Sequence, residues 1–113
     1  MKTTLRRLFG AATIDEIDPA GARQEHRTGS ALIDVREPDE YAAGHAPGAE
    51  LLPLGQLESR LRSLPKNREI LFICRSGRRS GIATEMAGKA GLRAKNVRGG
   101  MIAWAHDGLP VEG

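Results

Sequence analysis

The chain has 113 residues, a formal net charge of +3 and a single cysteine, Cys74. That length allows one domain with one core. One cysteine excludes an internal disulfide, so a reduced cytoplasmic setting is the expectation, and the thiol has no internal resolving partner. So small a charge, without basic–aromatic alternation, argues against nucleic acid as a partner. No apolar run approaches the roughly 18 residues of a membrane span, which argues against membrane contact from this segment.

The start, Met1 to Phe9, is basic and mildly amphipathic, without an apolar core of signal-peptide length. Residues 1–11 are expected to be a partly ordered N-terminal arm, and 12–113 the domain. Thr13-Ile14 opens a short strand. Asp18 and Pro19 read as N-cap and first residue of a helix that runs to about Arg27 and stops at Thr28-Gly29. Ala31 to Val35 is an apolar, buried strand. Glu37-Pro38-Asp39-Glu40 opens a short helix, which Gly44 closes. Ala46-Pro47-Gly48 is a turn before a strand near Ala49–Leu52. Leu57, Leu61 and Leu64 make one face of the next helix, with Pro65 after its end. Glu69 to Ile73 is a strand that Cys74 terminates. Ile82, Ala83, Met86, Ala87 and Ala90 recur at helical spacing up to Gly91. Lys95-Asn96-Val97 is the last strand, and a final helix follows Gly99-Gly100 through Trp104, stopping at Gly108 and Pro110.

Strands and helices therefore alternate with short connectors, without repeats or linkers. The pattern predicts an α/β fold, a parallel sheet of about five strands with helices on both faces. In such sheets sites form outside the carboxyl ends of strands. Asp34 and Cys74 both fall there.

Cys74 is followed by Arg75-Ser76-Gly77-Arg78-Arg79-Ser80 and then by a helix. A strand–loop–helix turn aims several backbone N–H groups into one concavity, and the positive end of the helix dipole adds to it. A lone cysteine is most often a small buried hydrophobe. This one ends a strand beside three arginines, a setting that favours the thiolate, so it is expected to be reactive toward an anionic or electrophilic substrate. Arg75, Arg78 and Arg79, with Arg98 nearby, would draw the anion in.

Several motifs stand in one order: Leu32-Ile33-Asp34-Val35-Arg36-Glu37, Glu40-Tyr41, Gly44-His45-Ala46-Pro47-Gly48-Ala49, Cys74 to Ser80, Gly99-Gly100-Met101-x-x-Trp104 and Gly108-Leu109-Pro110. Together they resemble a single-domain rhodanese over about residues 12–112. The resemblance implies a rhodanese-like sulfurtransferase fold in which Cys74 carries sulfane sulfur as a persulfide. It implies a small anionic donor such as thiosulfate, a cyanide or thiol acceptor, and no cofactor. The amides of residues 75 to 80 would hold the terminal sulfur.

Asp34 is expected either to orient the loop by accepting its N–H groups or to cap local backbone. Arg36 is expected to pair with Glu37, Glu40 or another carboxylate, His45 to be a structural hydrogen-bonder and Trp104 to be core. His26, His45 and His106 lack metal-ligand spacing. The rival chemistry is a cysteine phosphatase, or an arsenate reductase on a similar scaffold. Phosphatase loops have Cys-x5-Arg, whereas here Arg79 falls at Cys-x4 and position 80 is serine. A persulfide carrier for a protein partner would also retain Cys74, whereas a purely regulatory domain would not need it.

Overall fold

The computed structural model describes residues 4–9 and 12–113. Its strands are β1 Thr4–Phe9, β2 Ala12–Ile17, β3 Ala31–Asp34, β4 Glu50–Leu51, β5 Ile70–Ile73 and β6 Ala94–Val97. The helices are α1 Pro19–Arg27, α2 Pro38–Ala43, α3 Leu54–Arg60, α4 Arg78–Lys89 and α5 Gly100–His106. One sheet of order β1-β2-β6-β5-β3-β4 results, parallel throughout except for the antiparallel pair β1–β2. The expected parallel α/β sheet is therefore present, with six strands. The addition is β1, inside the stretch expected to be an arm; Met1–Thr3, Gly10 and Ala11 lie outside the described residues. No helix among the described residues is long and apolar enough to cross a membrane.

Local signals place the helices. Asp18 accepts the Gly21 N–H at 2.8 Å, and Pro19 supplies a preset φ at the first helical position. Pro38 starts α2 in the same way. The helix carrying Leu57, Leu61 and Leu64 is shorter than its apolar spacing predicts. The α-helical bonds end at Arg60 and Leu61–Ser63 form a 3₁₀ turn, which brings the chain to Pro65.

A sheet strand points successive side chains to opposite faces. Along β5, Leu71 and Ile73 pack with Ile17, Ala22, Met101 and Trp104 on one face. Ile70, Phe72 and then Cys74 point to the other, where Leu57 of α3 and Ala83 and Ala87 of α4 cover them. Helices thus lie on both faces, and the alternation delivers the Cys74 side chain to the α4 side. Trp104 is 1% exposed, a core residue as expected, and its indole N–H donates to the Pro110 carbonyl at 2.7 Å.

Helix α5 is fastened to the chain just past β5. The N–H groups of Met101 and Ile102 donate to the carbonyls of Cys74 and Arg75 at 2.8 and 3.0 Å. Gly100 permits this approach: its φ is +57°, and a β-carbon there would collide with both carbonyls. Gly100→Ala is therefore expected to cost at least about 2 kcal/mol, because backbone strain adds to a clash that no side-chain movement relieves. Chemical denaturation checks this; a variant as stable as the wild type would show that the helix can dock without this close approach.

Candidate active site

Cys74 lies at the carboxyl end of β5, the strand between β6 and β3 in the sheet order. The residue is 1% exposed. Its Sγ accepts the Gly77 N–H at 3.1 Å and the Ser80 hydroxyl at 3.2 Å. Gly77 is the N-cap of α4, with φ +100° in the left-handed region. The first helical bond runs from Gly81 N–H to Gly77 O at 3.0 Å. The N–H groups of Arg78, Arg79 and Ser80 precede that bond and have no partner inside the helix. The sulfur thus sits against a cluster of donors at the positive end of a 12-residue helix.

The loop arginines part ways. Arg75 and Arg78 are exposed. Arg79 turns to α2, where its guanidinium donates two bonds to Glu40, at 2.7 and 2.9 Å. Glu40 also accepts the Glu37 N–H at 3.0 Å. The bond from Arg79, then that from Glu37, holds the Glu40 carboxyl well below its ordinary 4.5, at about 2. Arg79 in turn is held protonated, first by Glu40, and its charge also feels Cys74 and Asp34.

Asp34 is fully buried, and the loop-orienting role weighed for it does not match its contacts. Its oxygens accept from Arg36, through the backbone N–H at 3.0 Å, through Nε at 3.0 Å and through a terminal nitrogen at 2.7 Å. Asp34 caps local backbone and neutralises a buried guanidinium, which reaches on to the Gly44 carbonyl at 2.7 Å. The register of β3 against β5 explains this: Asp34 pairs with Ile73, so its side chain shares a face with Ile73 and not with Cys74. His45 hydrogen-bonds the Tyr41 carbonyl at 2.9 Å and stacks on the Tyr41 ring with centroids 3.7 Å apart, a structural role as expected.

Two residues beside the loop, Asn96 and Glu16, were not singled out in the sequence. Asn96 of β6 donates to the Gly77 carbonyl at 3.1 Å and to the carboxylate of Glu16 in β2 at 2.9 Å. The available signal was polarity out of place: Lys95-Asn96 interrupts a strand buried in the sheet, where apolar residues are the rule. A cavity of about 200 Å³ is lined by Arg7, Phe9 and Glu16 of the β1–β2 hairpin and by Ser76, Gly77 and Arg78 of the loop. A larger one, about 540 Å³, is lined by Glu69, Thr84, Gly88 and Ala94, toward the amino ends of β5 and β6 and away from Cys74.

The model of the rhodanese-like domain matches residues 18–107. The chain belongs to that family. A sulfurtransferase from Allochromatium vinosum is 43% identical over 81 residues, covering 71% of this chain and 76% of its own length. A putative sulfur carrier protein of Bacillus subtilis is 40% identical, with 83% of this chain and 52% of that protein covered. Among solved structures, a rhodanese-related protein from Thermoplasma volcanium superposes with a TM-score of 0.81 at 29% identity, over 86% of this chain and 96% of that one. Strands β1 and β2 both lie before the family match.

Because Glu40 has its carboxyl lowered, the pair stabilises the fold above pH 4.5, and the contribution is lost as pH falls toward about 2. Glu40 remains 27% exposed, so solvent screening limits the effect to about 1 kcal/mol. Glu40→Gln is expected to lower stability by that amount at pH 7 and to converge with the wild type in acid. Paired denaturation curves at pH 7 and pH 3 measure it, and a difference independent of pH would refute the ion-pair origin.

Proposed function

We propose that this protein transfers sulfane sulfur from thiosulfate, or a related small anionic donor, to cyanide or a thiol through a persulfide on Cys74. One observation carries the reading: the Cys74 sulfur accepts a backbone N–H and a hydroxyl at the N-terminal end of a 12-residue helix. The relatives named as sulfurtransferase and sulfur carrier support it. The Cys74 thiolate attacks the outer sulfur of thiosulfate. The new S–S bond forms as the bond to the sulfonate sulfur breaks, and sulfite leaves with the electron pair. The persulfide's terminal sulfur keeps one negative charge, which the loop N–H groups from Arg75 to Ser80 are suited to hold. Cyanide or a thiolate then takes that sulfur and Cys74 departs as thiolate again. Neither step needs a cofactor, and a reduced cytoplasmic compartment would keep the lone thiol available.

The exposed pair Arg75 and Arg78 supplies the attraction for the donor, while Arg79 is spent on Glu40. That division also argues against phosphatase or arsenate chemistry, since a clamp for a tetrahedral oxyanion needs the arginine that Glu40 holds. A persulfide carrier serving a protein partner uses the same first step and differs only in the acceptor.

Incubation with thiosulfate is expected to add one sulfur atom to the intact mass, and cyanide to remove it as thiocyanate. Cys74→Ser should abolish both while remaining folded; undiminished thiocyanate formation would overturn the assignment, as would phosphate release from an aryl phosphate without thiocyanate. Neutralising Arg75 and Arg78 together should raise the apparent KM for thiosulfate severalfold at low salt. The effect should shrink at high salt, where screening acts within about 8–10 Å. An unchanged KM at low salt would remove the arginines from the mechanism.

A further inference from the structure

Gly77 occupies a conformation in which glycine is the least constrained of residues, yet its N–H must be aimed at one atom. We propose that Asn96, held in turn by Glu16, is the positioning residue that aims the Gly77 N–H at the Cys74 sulfur. This rests on reading Cys74 as the reactive group.

Sheet register brings the parts together. Glu16 of β2 pairs with Asn96 of β6, and Asn96 pairs with Phe72 of β5. Paired residues share a face, so the row points to the α4 side, as Cys74 does. Both groups that face the Asn96 amide nitrogen, the Glu16 carboxylate and the Gly77 carbonyl, are acceptors. Only the NH₂ end of the side chain fits between them, so the orientation of the amide is fixed by its neighbours. The Gly77 carbonyl also takes the Gly81 N–H, which fills its second lone pair. Gly77 is then held at both polar atoms: its oxygen by Asn96 and Gly81, its nitrogen by the sulfur. Asn96 and Glu16 are each 1% exposed, so water does not replace these bonds. Glu16 comes from outside the segment that the family match covers, and its other oxygen lies 3.6 Å from Arg7 of β1. The hairpin thereby reaches the catalytic loop through one carboxylate and one amide.

The remaining charged groups around the thiol stay in place when Asn96 is changed. Arg75 and Arg78 lie in the loop, Arg79 is bound to Glu40, Asp34 is bound to Arg36, and Arg98 precedes Gly99 in the β6–α5 connection.

The test reads the sulfur directly, through the rate of Cys74 alkylation by neutral iodoacetamide across pH, on the full chain. Loss of a well-aimed donor to an anion is worth about five- to tenfold. Asn96→Ala is expected to slow alkylation at pH 7 by that factor and to move the rise of the profile to higher pH. The plateau at high pH should be unchanged, because access to the sulfur is not altered. Glu16→Ala should move the rise in the same direction. Glu16→Gln, which keeps an acceptor for Asn96, should restore it. If Asn96→Ala does not fold, the Glu16 pair carries the test. A folded Asn96→Ala with the wild-type profile, or identical profiles for Glu16→Ala and Glu16→Gln, would overturn the proposal. Alkylation that shifts as described in a protein that forms no thiocyanate would instead overturn the sulfur-transfer reading and leave the positioning role standing.

Discussion

A strand in the middle of a parallel sheet has no freedom over where its side chains go. With Ile70 and Phe72 committed to the α3–α4 face, the next position on that face is Cys74, at the point where the sheet ends. The side chain cannot reach the α1–α5 side without undoing the register of β5 with β3 and β6. Helix α4 must begin next to it, and the short loop between them brings the Gly77 N–H and the Ser80 hydroxyl to the sulfur. Gly100 then closes the far side, by letting α5 grip the carbonyls of Cys74 and Arg75.

The distribution of charge follows from that geometry. Of the three arginines after Cys74, the one that faces α2 finds a carboxylate, and the other two stay exposed to solvent. Asp34 shows the same economy on the neighbouring strand, where Arg36 takes its whole accepting capacity.

Most of the fold was legible in the sequence because its signals are local. Asp18-Pro19, Pro38 and Gly44 mark helix ends through caps and fixed φ values that depend on a few neighbouring residues. Strand β1 was not legible. An edge strand pairs on one side only, and Arg6-Arg7 breaks the apolar alternation that would announce it. The place of Cys74 at a strand end, before a loop and a helix, was legible from type and order. The contacts of that loop were not, because they join residues distant in sequence: Arg79 with Glu40, Asn96 with Glu16. Asp34 went astray for a related reason, since both it and Cys74 lie at strand ends, and only the register reveals that they face opposite sides.

Trp104 is the single tryptophan of the chain, one helical turn beyond Gly100 and sealed in the core. The helix that carries it is the one bonded to the carbonyls of Cys74 and Arg75. A change of bonding at the sulfur that shifts those carbonyls also shifts the packing around the indole. Tryptophan emission, without any attached label, would report such a shift beside a thiol that light itself does not see.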